Sequence, residues 1–499
     1  MSTGSIRQLI DDQAERAPDT IFLIDPETGQ TVTFAQLRQA VQSLAHAIHN
    51  RGIKPGRSVA FAMANGADTA LAILALYYGG FRATAVNLQA GPETIAYVLD
   101  HSKSELVIAD DAGAALIAQA NPASTLTTVA QLTGEAPNSS ATLPPIAPSD
   151  DGLLMYTSGT TGRPKGVRLS HRALIAGGHN TAIAHQLTAR DRALCVLPLY
   201  HINGMCVTLM APLLTGGAVV MPRKFSPAKF WPLIADHQCS WFSVVPTQIS
   251  YLLHQPEQFL PAMPQLRFGR SASAPLAPET QRAFENRFNV PIIETMGLTE
   301  TAAQILANPL PPGIRKIGSP GIAFGNQIKI AGAHGNALPA NQEGEVLVNG
   351  ANVMTGYLDN PDATQAAFFA DGWLRTGDLG RMDTDGYVFI TGRLKELIIK
   401  GGENIAPREI DDVLYAQPGI IEAAAFARAC PDYGERVEAA VVLDPAVTCS
   451  EASLINACQA KIGKFKAPDR IHFLAELPKG PSGKIQRRSL ASLTGQAAK

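Results

Sequence analysis

The sequence predicts an α/β protein in which a large N-terminal domain of helix-covered sheets and a β-rich subdomain precede a small, mobile α+β domain. Three observations predict it. Helical and extended apolar patterns alternate near the N-terminus, alternating strand patterns occur before residue 394, and a unit with both patterns follows. Alternation of short apolar strands with helices is typical of a parallel sheet covered by helices. We expect domains at 1–394 and 395–499.

The first elements follow from the spacing of apolar residues. Residues 37–48 carry apolar side chains at helical spacing, and the extended run 58–63 comes next. A second helical pattern at 69–78 precedes two short apolar runs at 83–87 and 106–109. Because these runs are apolar on both faces, we expect buried strands of a parallel sheet.

The later elements are predicted in the same way. Residues 134–151 are rich in Pro, Ser, Ala and Asn, which is typical of a surface loop. Residues 344–349 and 386–391 alternate like antiparallel strands, and 383–386 forms a turn for which a partial calcium loop is the alternative. The small unit has strand patterns at 397–399, 422–429 and 438–443 and helix patterns at 407–416 and 451–462.

Composition excludes several classes of protein. The 499 residues include 41 Lys and Arg against 43 Asp and Glu, a formal charge of −2, so a basic nucleic-acid binder is not expected. The best apolar run, 69–78, is only half of the roughly 20 residues that a membrane span needs. The N-terminus lacks a secretory apolar segment, and the six cysteines contain no CxxC pair. We therefore expect a cytoplasmic protein with reduced, mostly buried thiols.

The strongest chemical signal is the segment Tyr156-Thr-Ser-Gly-Thr-Thr-Gly-Arg-Pro-Lys-Gly166. Its glycines allow a sharp turn with several N–H groups in one concavity, and hydroxyls and a lysine complete a phosphate-binding set. A plain Gly/Thr-rich turn is the alternative for one loop alone. The segment is neither a Walker A loop nor a GxGxxG fingerprint. The candidate phosphate-binding residues are Thr157, Ser158, Gly159, Thr160, Thr161, Gly162 and Lys165.

At this loop the sequence resembles the adenylate-forming superfamily, which includes acyl-CoA synthetases, firefly-type luciferases and the adenylation domains of peptide synthetases. The resemblance continues in family order along nearly the whole chain. The further blocks are 197–204, 271–275, 297–300, 376–378, 392–396, 400–404 and 481–484. Eight blocks in order form a highly specific match.

The resemblance implies a two-step reaction. A carboxylate attacks the α-phosphorus of ATP, pyrophosphate leaves, and a thiol then displaces AMP from the acyl-adenylate. The implied cofactors are ATP, Mg²⁺ and coenzyme A. The implied partners are a small carboxylic acid and either CoA or a carrier protein, and a homodimer is one of the assemblies compatible with the resemblance. A stand-alone enzyme that loads a carrier protein is the alternative within the family. A non-catalytic nucleotide sensor is the alternative of another class.

Residue roles are carried over by the resemblance. Thr299 is expected to donate its hydroxyl to the α-phosphate and Glu300 to hold Mg²⁺. Asp378 is expected to accept from the ribose, Arg393 to reach ribose or phosphate, and Lys484 to insert beside the α-phosphate and the carboxylate.

Further roles concern the thiol step and the hinge between the domains. Lys395 is the implied hinge and His201 the implied gate between the acyl pocket and the thiol tunnel. Gly401 and Gly402 resemble the strand edge along which pantetheine pairs. Lys466 and Arg428 are candidate contacts for the CoA phosphates.

The nucleotide and acyl pockets come from two other blocks. Ser273, Ala274, Pro275 and Gly297 are expected to line them, and Met296 stands where relatives carry an aromatic residue on the adenine. Arg270-Ser271 and the stretches 308–311 and 484–488 resemble oxalyl-CoA synthetases, but Ala303 replaces a histidine expected in that group. We therefore expect a monocarboxylate of modest size, aliphatic or aromatic.

Overall fold

The computed structural model describes residues 4–120, 123–135, 142–157, 163–256, 261–480 and 485–496. The strands in chain order are β1 (Ile21–Ile24), β2 (Thr31–Thr33), β3 (Ser58–Ala62), β4 (Arg82–Ala85), β5 (Leu106–Ala109), β6 (Thr125–Thr127), β7 (Asp151–Thr157), β8 (Lys165–Ser170), β9 (Arg192–Cys195), β10 (Ala218–Val220), β11 (Trp241–Val244), β12 (Phe268–Ser271), β13 (Ile292–Leu298), β14 (Ala303–Ala307), β15 (Ile322–Ala323), β16 (Gln327–Ala331), β17 (Gly344–Asn349), β18 (Gly356–Tyr357), β19 (Leu374–Met382), β20 (Val388–Arg393), β21 (Ile398–Lys400), β22 (Glu403–Ile405), β23 (Ile420–Cys430), β24 (Gly434–Leu443) and β25 (Arg470–Phe473).

The α-helices in chain order are α1 (Ile6–Arg16), α2 (Phe34–Asn50), α3 (Ala67–Gly79), α4 (Pro92–Ser102), α5 (Asp111–Ala120), α6 (Val129–Glu135), α7 (His171–Ala184), α8 (Ala211–Thr215), α9 (Pro227–Asp236), α10 (Pro246–Leu253), α11 (Pro278–Phe288), α12 (Pro361–Ala366), α13 (Pro407–Tyr415), α14 (Glu451–Ile462) and α15 (Arg487–Gln496). A π-helix spans Asn203–Met210 and a 3₁₀-helix spans Thr299–Thr301. Among the residues described, no helix has the length and apolar character that crossing a bilayer requires.

Two mainly parallel sheets form the larger part of the molecule. The seven-stranded sheet has the order β18-β8-β7-β4-β3-β5-β6, and the nine-stranded sheet has the order β15-β14-β13-β12-β11-β9-β10-β1-β2. In each sheet the central strands are parallel, while β7–β8 and β13–β14 are antiparallel pairs at the ends of the parallel series. Helices cover these sheets because each parallel connection must cross over one face.

The two remaining sheets are smaller. One has four antiparallel strands in the order β16-β17-β19-β20. The other has the order β22-β21-β24-β23, with β25 parallel to β24. The strands of the last sheet all follow residue 397, and α13, α14 and α15 pack with them. The predicted fold class, with helix-covered sheets, a β-rich part and an α+β unit, is therefore confirmed.

Local sequence explains individual elements. A capping box begins α2: Thr33 Oγ1 accepts the Gln36 N–H at 3.3 Å, and Gln36 Oε1 accepts the Thr33 N–H at 2.9 Å. The strand predicted at 106–109 and the helix predicted at 451–462 coincide with β5 and α14. The turn at 383–386 connects β19 and β20, and Lys316 pairs with both Asp383 and Asp385 there.

One apolar core holds the two large sheets together. It contains Phe61 and Leu153 from the seven-stranded sheet, Ala193 and Trp241 from the nine-stranded sheet, and Leu74 of α3. Helix α3 is buried nearly all round, which explains its lack of a polar face. All six cysteines are free thiols, and four of them are buried: Cys195, Cys206, Cys239 and Cys458.

Candidate active site

Several of the predicted site blocks follow the ends of parallel strands. β9 ends at Cys195, β12 at Ser271 and β13 at Leu298, and β9, β11, β12 and β13 are consecutive parallel neighbours. The segments 196–204, 272–275 and 299–301 therefore leave the same edge of the sheet. In open α/β sheets this edge is where ligands bind.

Lys165 and Glu300 are brought together by a tyrosine. Thr157 and Lys165 are partners in the β7–β8 ladder, and the Lys165 ammonium lies 4.9 Å from the centre of the Tyr357 ring. The Tyr357 hydroxyl donates to Glu300 Oε1 at 2.9 Å. Burial and the neighbouring Glu300 carboxylate raise the pKa of Tyr357, so the hydroxyl stays protonated as a donor. Lys165 and Arg163 also line a cavity of about 170 Å³.

Glu300 is held by its main chain as well. Its carbonyl accepts the Met354 N–H at 2.8 Å, and the Asn352 amide donates to the next carbonyl, that of Thr301, at 2.9 Å. The described residues provide no partner for Glu300 Oε2 or for Thr299 Oγ1. Both oxygens therefore keep a lone pair for a ligand, and Thr299 keeps its proton for donation.

Asp378 and Arg393 form a second charged pair, which interacts electrostatically with Glu300. They face each other across β19 and β20, and Arg393 donates to Asp378 through Nε at 2.6 Å and Nη2 at 3.5 Å. Burial alone would lower the pKa of Arg393, but the carboxylates of Asp378, Glu396 and Glu300 raise it, and the net shift is upward. Its guanidinium therefore lies on the Asp378 carboxylate and within electrostatic reach of Glu300.

Gly297 lies where β13 meets β14. A Cβ at this position would lie 1.9 Å from the Ala303 carbonyl oxygen, so only glycine fits. Ala302 and Ala303 then take positive φ angles of 45° and 77° as the chain turns back after the 3₁₀-helix. Met296 is partly buried against the main core and pairs with Leu306.

The His201 block and the 271–275 block are joined by one side chain. Asn203 Nδ2 donates to Ser273 Oγ at 3.1 Å. Ser273 has a φ of 73° in the turn after β12, and Ala274 and Pro275 follow it with partly or fully exposed side chains. The His201 ring packs on Tyr200 with centroids 4.8 Å apart, just before the π-helix.

Arg270 is fully buried beside these segments. It donates through Nη1 to Asn203 Oδ1 at 2.7 Å and to Ser243 Oγ at 3.1 Å, and through Nε to Gln304 Oε1 at 3.2 Å. All three partners are neutral. Burial lowers the pKa of Arg270 to about 9, so the guanidinium is still charged at neutral pH.

The candidate hinge and pantetheine residues lie at turns of the small unit. Lys395 is exposed in a turn after β20, closed by the Glu396 N–H donating to the Arg393 carbonyl at 2.9 Å. Gly401 and Gly402 join β21 to β22 with φ angles of 58° and 85°. The Gly401 N–H donates to the Tyr433 carbonyl at 2.9 Å.

Six candidate residues lie outside the residues described: Ser158, Gly159, Thr160, Thr161, Gly162 and Lys484. The flanks of the last are well anchored, because Lys479 and Ile485 form an antiparallel bridge. The guanidinium of Arg487 pairs with the buried Asp411 and lies 3.5 Å from Glu396, beside the candidate hinge.

Two candidate CoA contacts already have partners. Arg428 donates to Glu438 Oε2 at 2.6 Å and also pairs with Thr494, while Lys466 donates to Glu409 Oε2 at 2.7 Å. Sequence reasoning missed Tyr357 and Asn203. The signal for Tyr357 was weak, a Gly-Tyr pair four residues before a Pro that begins a helix. Asn203 lay inside a quoted block, but its partner Ser273 is 70 residues away.

Comparison with known proteins accounts for this arrangement. The model of the AMP-binding enzyme family matches residues 10–358, and that of the AMP-binding enzyme C-terminal domain matches 409–484. The chain is 46% identical over 496 residues to sulfoacetate–CoA ligase of Cupriavidus necator, covering 97% of each chain. It is 34% identical over 513 residues to oxalate–CoA ligase of Arabidopsis thaliana, covering 98% of this chain and 99% of the relative.

A solved structure shows the same architecture. The ATP-bound MatB protein of Rhodopseudomonas palustris superposes with a TM-score of 0.91 at 29% identity, over 99% of this chain and 100% of the other. The apo form of that protein gives 0.79 over the same shares. Because the first family model matches more than half of the chain, the chain belongs to the AMP-binding enzyme family, and it is an ATP-dependent acid–thiol ligase of that family.

Proposed function

We propose that this ligase forms an acyl-adenylate at the site around Lys165, Glu300, Asp378 and Arg393, and then transfers the acyl group to free CoA in the cytoplasm. One observation carries the proposal. Tyr357 contacts both Lys165 and Glu300, and Arg393 interacts electrostatically with both Asp378 and Glu300. A cation, an open carboxylate oxygen and a buried acceptor are thereby grouped. This set suits a triphosphate, its metal ion and a ribose.

The described residues divide the work on ATP. The Lys165 ammonium would meet the outer phosphates, and the Thr299 hydroxyl, which has no described acceptor, would donate to the α-phosphate. Asp378 would accept from the ribose hydroxyls. Arg393 already contacts Asp378, so we assign it the role of orienting that carboxylate rather than a phosphate contact of its own. Such positioning is what adenylyl transfer chiefly requires.

Glu300 fits the magnesium that the family uses. Mg²⁺ prefers hard oxygen ligands and is usually held by one or two carboxylates together with substrate phosphates. Glu300 Oε2 has no partner among the described residues, while Oε1 is fixed by Tyr357. When bound, the ion would neutralise the phosphate charge that grows as pyrophosphate leaves.

The second half-reaction requires a different arrangement of the small domain. We propose a domain boundary between 394 and 395, with Lys395 as the hinge, Lys484 acting in adenylation only, and His201 as the gate for the thiol. The exposed turn at Lys395 supports this, as does the higher TM-score to the ATP-bound than to the apo form of one relative. An exposed turn can absorb the backbone rotation.

The acceptor thiol is proposed to reach the site along the turn at Gly401 and Gly402. Large apolar side chains are exposed nearby: Ile399, Tyr433 and Phe465. Such a surface suits a pantetheine arm. A carrier protein would bring the same arm, so it is the alternative acceptor, and a homodimer is the alternative assembly. Thioester yield with free CoA against a phosphopantetheinyl carrier, and mass in solution, distinguish these.

Separate assays of the two half-reactions test the proposal. Lys484→Ala should abolish ATP–pyrophosphate exchange and spare thioester formation from supplied acyl-adenylate, whereas Lys395→Pro should do the reverse. Arg488→Ala is a control in the same segment. Equal losses in both half-reactions for both variants would contradict the hinge. Absence of acid-dependent pyrophosphate release with every acid, sulfoacetate and oxalate included, would contradict the ligase function and favour a nucleotide sensor.

A further inference from the structure

Arg270 carries a charge that no carboxylate of the described residues balances. Its guanidinium is 1% exposed, and its hydrogen-bond partners are the neutral side chains of Asn203, Ser243 and Gln304. No carboxylate among the described residues pairs with it. The ionisable groups that interact with it are the Cys206 thiol and the His185 imidazole. A buried charge without a counter-charge is strongly unfavourable, so an unpaired arginine needs a reason.

The neighbouring groups do not supply a negative charge either. Burial raises the pKa of Cys206 to about 12, so the thiol is neutral at physiological pH. Burial and the Arg270 charge lower the pKa of His185 to about 3, so the imidazole is neutral too. The net charge of the cluster around Arg270 is therefore +1.

The guanidinium also keeps donors in reserve. Arginine has five N–H donors, of which Nε provides one and each Nη two. The three hydrogen bonds of Arg270 use Nε and Nη1, and no described residue accepts from Nη2. Two N–H groups of the guanidinium are thus open to an acceptor.

The position of Arg270 connects it to the acyl pocket. It lies on β12 one residue before the strand ends at the turn that contains Ser273. The Asn203 side chain accepts a hydrogen bond from Arg270 through Oδ1 and donates one to Ser273 Oγ through Nδ2. One amide group therefore connects the guanidinium to the hydroxyl of the turn. Gln304 lies on β14 and is the register partner of Gly297, which is expected to line the pocket.

We propose that Arg270 forms an anion subsite at the base of the acyl pocket and that the substrate is a short acid with a second anionic group, a carboxylate or a sulfonate. The inference rests on the proposed ligase function, because it places the anion in that enzyme's acyl pocket. One carboxylate reacts with ATP, and the other anionic group accepts from the two N–H groups of Arg270 Nη2. A guanidinium matches either anion in geometry and charge.

This proposal departs from the monocarboxylate expected from sequence. Ala303 removes one polar partner from the pocket, but Arg270 supplies a full charge. The two relatives reported above are named for sulfoacetate and oxalate, which both carry a second anionic group. A monocarboxylate would leave the guanidinium unpaired in the bound state, and this loss disfavours it.

Matched substrate pairs test the subsite. Each pair has the same shape with and without the second charge: malonate against malonamate, and sulfoacetate against methylsulfonylacetate. We expect kcat/KM for the charged member to exceed that for the neutral member by about 100-fold or more, since leaving a buried polar group unpaired gives large discrimination. Arg270→Met should cut the preference below about tenfold without raising the KM for ATP.

A second arginine provides the control. Arg267 lies on the residue before β12 and already pairs with the carboxylate of Asp191. Arg267→Met should leave the charge preference unchanged. If Arg270→Met instead lowers kcat/KM equally for both members of a pair, Arg270 only supports the fold and the subsite is refuted. If the wild-type protein uses malonamate as well as malonate, the subsite is refuted although the ligase function stands.

Binding without turnover separates the two proposals. Calorimetric titration of sulfoacetate and malonate into the AMP-loaded protein should show binding that Arg270→Met weakens by about 100-fold, the same unpaired-donor discrimination. Binding that depends on Arg270 in a protein that releases no pyrophosphate would support the subsite and overturn the ligase function. Turnover of monocarboxylates with no measurable dianion binding would overturn the subsite alone.

Discussion

Removing one hydroxyl from Tyr357 should weaken adenylation and leave thioester formation intact. Tyr357→Phe keeps the ring that faces Lys165, whose ammonium lies 4.9 Å from the ring centre. It removes the donor that contacts Glu300 Oε1 at 2.9 Å. Glu300 would then be held by its backbone alone, so its carboxylate could rotate away from the position proposed for Mg²⁺.

The size of the effect follows from that one hydrogen bond. A hydrogen bond to a charged acceptor is worth about 1.5–3 kcal/mol. Because Glu300 and Tyr357 are both partly exposed, we expect the lower end of this range, about 1.5 kcal/mol. That energy corresponds to about a tenfold fall in kcat/KM for MgATP. The fall should shrink as free Mg²⁺ is raised, since excess ion compensates a less ordered ligand.

ATP–pyrophosphate exchange at several Mg²⁺ concentrations measures this effect, and thioester formation from supplied acyl-adenylate is the parallel assay. Tyr387→Phe is the matched control, because Lys316 lies 4.4 Å from that ring centre and the hydroxyl donates to the Ile314 carbonyl at 2.6 Å, outside the proposed site. An unchanged exchange rate for Tyr357→Phe would refute the role given to Glu300. An equal loss in both half-reactions would refute its restriction to adenylation.

Three further predictions concern single residues. Gly297→Ala should lower stability by about 2 kcal/mol and abolish exchange, because the new methyl group would lie 1.9 Å from the Ala303 oxygen; thermal unfolding checks it, and a stable, active variant would contradict the packing. Met296→Tyr should lower the KM for ATP by about threefold to tenfold by adding a ring against the adenine, and an unchanged KM would dispose of that contact. Burial lowers the pKa of His171 from 6.5 to about 4. Between these two pH values the imidazole is protonated in the unfolded chain and neutral in the folded chain. Stability should therefore fall with acidification by up to about 1.4 kcal/mol per pH unit; His171→Gln should flatten this dependence in urea titrations, and an equal slope would contradict it.

Much of the fold could be predicted from short stretches of sequence. The limits of β5 and α14 were predicted to the residue, and α3 was predicted within two residues at its start and one at its end. These elements are encoded locally, because the period of apolar side chains reports which face will be buried. The succession of motifs likewise determined the family and its chemistry.

The pairing of charges depended on the tertiary structure alone. Asp378 and Arg393 belong to two separate sequence motifs, and they become neighbours only through the register of β19 and β20. Tyr357 contacts a carboxylate 57 residues away, and Arg270 meets an asparagine 67 residues before it. Periodicity shows whether a side chain is buried but carries no information on its distant neighbours. Whether a buried arginine meets a carboxylate or is left with a free charge is therefore decided by how the strands and loops pack together.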